Sequence, residues 1–112
     1  GDGFANTTNG VGYGVDYSIN ILTPGAYLFT WRYANSGNDR PANLIIDSVT
    51  EVSGISFPGT GSWTTWGTTT AVEVTLTAGV KDIRLEATSS GGLANIDYMQ
   101  VTGPNLTAAT CP

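Results

Sequence analysis

The feature that most constrains this chain is a two-residue rhythm of apolar and polar side chains, repeated in short runs with no helical period of useful length. In VDYSINI, Val15, Tyr17, Ile19 and Ile21 share one face, while Asp16, Ser18 and Asn20 share the other. Successive side chains of a strand point to opposite sides, so this spacing describes a strand buried on one face. AYLFTWRYAN repeats the rhythm, with Tyr27, Phe29, Trp31 and Tyr33 opposed to Leu28, Thr30 and Arg32. TTTAVEVTLT sets Val72, Val74 and Leu76 against Glu73 and Thr75. KDIRLEAT continues through Ile83, Leu85 and Ala87, and IDYMQV closes the series.

Turn formers punctuate these runs: TPG at 23–25, SGNDRP at 36–41, PGTGS at 58–62, AGV at 78–80 and SSGG at 89–92. Many short strands separated by tight turns predict an all-β fold, a β-sandwich jelly roll whose sheets are apolar inside and polar outside. The shared face of Tyr27, Phe29, Trp31 and Tyr33 is its expected core. At 112 residues there is material for one domain. Residues 1–103 read as one β-jelly-roll module. PNLTAATCP, at 104–112, lacks the rhythm and reads as a tail or the start of a linker.

The residue inventory excludes most chemistry. Without histidine there is no Ser–His–Asp or Cys–His nucleophile and no usual zinc site. Cys111 stands alone and cannot close an internal disulfide. No glycine-rich phosphate cradle has a lysine beside it. The basic residues are Arg32, Arg40, Lys81 and Arg84, too scattered to bind nucleic acid through its phosphates. No apolar run has the length to cross a bilayer, and no signal peptide is expected, so a membrane is not an expected partner. A pair of carboxylates acting on a glycosidic bond is the only catalytic route left open, and the acids are spread along the chain.

What the chain has in excess is aromatic surface: three Trp, five Tyr and three Phe in 112 residues. A flat ring matches the C–H face of a pyranose, and amides or guanidinium groups beside it can read the hydroxyls. Tyr13 lies between glycines at a strand entry, Trp63 follows a glycine loop with the parity opposite to the core, and Trp66 is evenly balanced between core and surface. Arg40 is placed either in a site or in a surface pair with Asp39. Asn95 reads as a turn cap or a ligand-facing amide, and Asp97 as an outward strand residue or a metal ligand.

RYAN (32–35), DRPA (39–42), GSWTTW (61–66), LTAGVKDIRL (76–85) and GGLANID (91–97), in that order, resemble the carbohydrate-binding modules of family 35 and the related family 6. The resemblance implies a β-jelly roll, non-catalytic by itself, that tethers a secreted glycoside hydrolase to plant cell-wall polysaccharide in the extracellular space. It implies a site among the loops at one end, where Tyr13 matches the family's aromatic near the first strand and Asn95 the asparagine of its NID motif; Asn35, Arg40, Trp63 and Trp66 complete the saccharide-binding candidates. Members that bind uronic acids carry tryptophan two residues before the asparagine and use calcium at the sugar. Leu93 stands there in this chain, which turns the expectation toward neutral β-mannan or decorated mannan and an attached mannanase. Glucuronic or unsaturated galacturonic acid is the calcium-dependent alternative, and a structural or adhesive domain the other. A structural calcium in the family involves the aspartate matched by Asp97.

Overall fold

The computed structural model describes residues 14–89 and 91–108, which fold into nine strands and no helix. They are β1 (Gly14–Ile21), β2 (Gly25–Ala34), β3 (Ala42–Ile46), β4 (Val49–Ile55), β5 (Gly67–Thr68), β6 (Val72–Leu76), β7 (Gly79–Ala87), β8 (Asn95–Thr102) and β9 (Leu106–Ala108). Five form one antiparallel sheet in the order β4-β3-β7-β1-β9. In the other sheet β2 is central: β8 pairs along residues 28–34, so β6 and β5 share the opposite edge at residues 25–29 and 32–33. The two sheets form the expected β-sandwich.

β2 shows why the sandwich closes. Its alternation puts Tyr27, Phe29, Trp31 and Tyr33 inward, and all four are buried. Phe57, from the chain after β4, joins them: its ring centroid lies 6.0 Å from Trp31 and 5.1 Å from Tyr33, the latter edge-on. Ile19, Ile21, Leu44, Ile46, Ile83 and Leu85 of the five-stranded sheet form the facing layer. A side chain the size of Trp31, fully buried, is worth about 3–5 kcal/mol against alanine in such a core.

Tight turns set the register. Asp47 and Ser48 have φ of 49° and 69°, the left-handed pair that a two-residue hairpin needs to follow strand twist. Asp47 also exchanges backbone and side-chain hydrogen bonds with Asp82, tying this turn to β7. At the same end the Tyr27 hydroxyl accepts the Asn105 N–H at 3.1 Å and sits 2.8 Å from the Asn105 carbonyl, fixing the entry to β9.

β9 corrects one expectation. The segment after Gly103 was expected to be a tail, yet Leu106–Ala108 pairs with Ile19–Ile21 at the sheet edge. Three residues are too few for alternation to show, so only the pairing reveals the strand.

Among the described residues, the Tyr17 and Ser18 hydroxyls and the Trp31 indole N–H are buried without a well-formed hydrogen bond, the Tyr17 hydroxyl facing Trp31. Burial pushes the Tyr17 phenol well above its usual ionisation range. The unfolded chain therefore ionises this tyrosine first, near pH 10, so its contribution to stability is full below that pH and is lost as pH rises above it. Tyr17→Phe removes an unsatisfied hydroxyl and keeps the ring. We expect the variant to match or exceed the wild type in urea at pH 8, and to lose less stability between pH 8 and pH 11. Destabilisation by more than about 1 kcal/mol at pH 8 would mean that the hydroxyl has a partner after all.

Candidate functional site

Antiparallel pairing brings six strand ends to one end of the sandwich. Ala34 of β2 opposes Asn95 of β8, Ala42 of β3 opposes both Ile55 of β4 and Ala87 of β7, and Tyr33 opposes Gly67 of β5. The connections 35–41, 56–66 and 88–94 therefore meet there. Gly14 pairs with Glu86 at this end as well. Tyr13, the expected stacking ring, lies outside the described residues.

Polar side chains stitch these loops. Asn35, expected to face ligand, is instead fully buried. Its amide nitrogen donates to the carbonyls of Asn38 (2.7 Å) and Phe57 (3.0 Å), and its side-chain oxygen accepts the Gly37 N–H (3.0 Å). Its backbone is closed by Thr60, whose N–H donates to the Asn35 carbonyl at 2.7 Å. All three side-chain bonds go to the backbone and the residue has no exposed surface, so Asn35 builds the site and does not touch saccharide. Asp39 is equally committed: its carboxylate accepts the Ser56 hydroxyl (2.6 Å) and the Phe57 N–H (2.7 Å). That removes the expected surface pair with Arg40.

Arg40 reaches the other way. Nη1 donates to the carbonyls of Gly91 and Leu93, and the guanidinium carbon lies 4.8 Å from the centre of the Trp63 ring. Such a cation over an indole face is an attractive contact. Trp63 is 39 % exposed, as its place after a glycine loop favoured, although it sits in a turn where strand parity does not apply. Two residues beyond the Arg40 contact, Asn95 opens β8 half-buried, and among the described residues no hydrogen bond engages its carboxamide. Arg40, Trp63 and the approach to Asn95 are thus brought together.

Trp66 belongs to a second cluster. Arg32 lies 4.9 Å above its ring, and Arg32 Nη1 also holds Asp97 Oδ2. The register of β2 and β8 shifts here: Arg32 opposes Tyr98 and Tyr33 opposes Ile96, leaving Asp97 as the extra, bulged residue. Ile96 and Met99 both pack on the core, so the two residues between them turn outward together beside Arg32. Arg32 was legible only as an outward strand residue; the bulge that gives it Asp97 has no signature in the sequence.

For the structural calcium considered at Asp97, the one N-terminal acid that could join it, Asp2, lies outside the described residues. A guanidinium already neutralises the Asp97 carboxylate. Among the described residues no three acidic or cysteine side chains converge on a common point where a cation would sit.

The geometry separates residues that build the site from residues that can meet a ligand. Asn35→Ala would strand two buried carbonyls and one N–H, each costing about 1–3 kcal/mol. We expect its denaturant midpoint to fall clearly below that of the wild type, with any binding defect recovered at low temperature, where the domain is folded. A variant as stable as the wild type would contradict the structural assignment.

Comparison with known proteins places this arrangement. The family model described as carbohydrate binding module (family 6) matches residues 1–103. The chain is 40% identical over 113 residues to endo-1,4-beta-xylanase B of Cellvibrio japonicus, covering 99% of this chain and 19% of that protein. It is 40% identical over the same length to alpha-L-arabinofuranosidase C of the same organism, covering 18% of it. The chain therefore spans about a fifth of the length of these curated relatives. Among solved structures, the family 35 module of Cellvibrio japonicus Abf62 superposes with a TM-score of 0.92 at 39% identity, over 100% of this chain and 80% of that one. The Xyl-CBM35 module in complex with a glucuronic acid containing disaccharide gives 0.91 at 38% identity, over 100% and 81%. With its matched strands, loops and motifs, the chain belongs to the carbohydrate-binding modules, in the group that joins families 6 and 35, and is a binding module rather than a catalytic domain.

Proposed function

We propose that this module holds an attached glycoside hydrolase on plant cell-wall polysaccharide outside the cell, and that its ligand is a glucuronic-acid-bearing chain of the xylan type. The observation that carries this reading is the uncommitted carboxamide of Asn95, opening β8 beside a loop cluster that holds the half-exposed Trp63 and the cationic Arg40. The ring supplies a face for C–H stacking, the amide a donor and an acceptor for hydroxyls, and the guanidinium a positive field that favours a carboxylate. Likeness to a module solved with a glucuronic acid containing disaccharide, and to a xylanase, supports the choice.

A second reading, a neutral β-mannan, rests on Leu93. It is 3 % exposed and so offers no stacking face where a uronate-binding site would have a ring. Either ligand would bind a shallow surface with about 4–8 kcal/mol, in the micromolar to millimolar range. Weak binding suffices, because tethering raises the local concentration of the enzyme on its substrate.

Titration calorimetry with a glucuronic-acid-substituted xylo-oligosaccharide and with a manno-oligosaccharide tests both readings. We expect heat with the acidic sugar, and at least tenfold weaker binding for Trp63→Ala and Asn95→Ala, each with an unchanged circular dichroism spectrum. Binding of the manno-oligosaccharide alone would select the second reading. No heat with either, and no retention on xylan, mannan, pectin or cellulose, would leave a structural or adhesive domain. Repeating the titration in chelator tests the calcium dependence of uronate binding: affinity lost in chelator would show that a bound calcium takes part in the site.

A further inference from the structure

We propose that Arg40 is the positioning residue of the saccharide site: bonded to the Gly91 and Leu93 carbonyls and stacked on Trp63, its guanidinium sets the indole relative to the Asn95 carboxamide. This rests on the carbohydrate reading above and assigns to Arg40 a role other than touching the sugar.

Among its described residues, the segment between β7 and β8 has few backbone hydrogen bonds of its own. Gly92 sits at φ 77°, and the Gly92 N–H closes a turn onto the Ser89 carbonyl at 3.1 Å. The carbonyls of Gly91 and Leu93 turn to Arg40 Nη1. Arg40 suits this task because its root is fixed. Its own N–H donates to the Phe57 carbonyl at 3.3 Å. Asp39 before it grips Ser56 and Phe57, and the Pro41 carbonyl after it accepts the Thr88 N–H at 3.2 Å and the Thr88 hydroxyl at 3.1 Å. From that root one guanidinium meets two loops: Nη1 donates to both carbonyls, and the guanidinium carbon lies 4.8 Å from the centre of the Trp63 ring. Lysine carries its charge on one nitrogen, so an ammonium placed at the two carbonyls has no second part of the group to lie against the ring, as the guanidinium carbon does.

Trp63 belongs to the 56–66 loop and Asn95 to β8, with Arg40 holding the first through its ring and the second through the segment that precedes it. Removing the guanidinium would let the two ligand-facing groups drift apart while leaving the aromatic core intact. A displacement of that kind matters in a shallow site, where affinity depends on ring and amide meeting one sugar together.

The test uses Arg40→Lys and Arg40→Met in the same chain, with two readouts. Nuclear magnetic resonance follows the Trp63 Nε1–H and Asn95 Nδ2–H2 signals without ligand. Calorimetry follows whichever of the two oligosaccharides the wild type binds. We expect melting temperatures within a few degrees of the wild type, displacement of both side-chain signals in both variants, and affinity at least tenfold lower, with lysine giving no rescue. Wild-type affinity in Arg40→Lys would show that charge alone suffices and would overturn the proposal. So would unmoved Trp63 and Asn95 signals. Where the wild type binds both sugars, loss confined to the acidic one would also overturn it, by making Arg40 a direct reader of the carboxylate. If Arg40→Met fails to fold, Arg40→Lys decides. If the wild type binds neither sugar, the carbohydrate reading falls and the two signals alone decide the positioning role.

Discussion

Everything in this domain depends on burying the aromatic face of β2 between two sheets. Tyr27, Phe29, Trp31 and Tyr33 stand in one row, and the aliphatic layer of the five-stranded sheet closes over them. A strand cannot bury such a row without a second sheet, and neither sheet is stable alone. The same row explains why β2 is central. It needs neighbours on both edges, and β8 on one side with β5 and β6 on the other supply them. Because the pairings are antiparallel, placing this strand also gathers the connections 35–41, 56–66 and 88–94 at one end.

Those connections carry few apolar anchors, so their shape is held by polar groups directed at the backbone. Asn35, Asp39, Arg40 and Thr60 each satisfy carbonyls or N–H groups of another loop. Buried backbone groups that lack strand partners demand this, because leaving them unpaired is costly. The consequence for function is a division of labour. Among the described residues, most conspicuous polar side chains of the loops are spent on architecture, and what stays open is an exposed ring and an uncommitted amide. A binding site of this type is a small remainder on a large, rigid support.

The two tryptophans of GSWTTW show how the support sorts similar residues. Each is stacked by an arginine, Trp63 by Arg40 and Trp66 by Arg32. Arg40 comes from a loop and is bonded to loop carbonyls, so Trp63 stays with the loop cluster. Arg32 comes from the outward side of β2 and is paired with Asp97, so Trp66 is drawn onto the outer face of the four-stranded sheet. Three residues of separation thus lead to two different surfaces.

The sequence by itself determined the strands, their inward faces and the all-β sandwich, because a two-residue period and turn chemistry are local properties that every strand must display. It also leaned toward exposure of Trp63, from its place after a glycine loop. It marked the loop motifs, through resemblance, as the saccharide-binding end. Only the tertiary structure decided that Asn35 is buried architecture, that Asp97 pairs with Arg32, that Arg40 bridges to Gly91 and Leu93, and that Leu106–Ala108 completes a sheet. Each of those outcomes depends on a partner from a distant part of the chain or on a single bulged residue. Such contacts arise from the closure of the whole sandwich, and no local spacing encodes them.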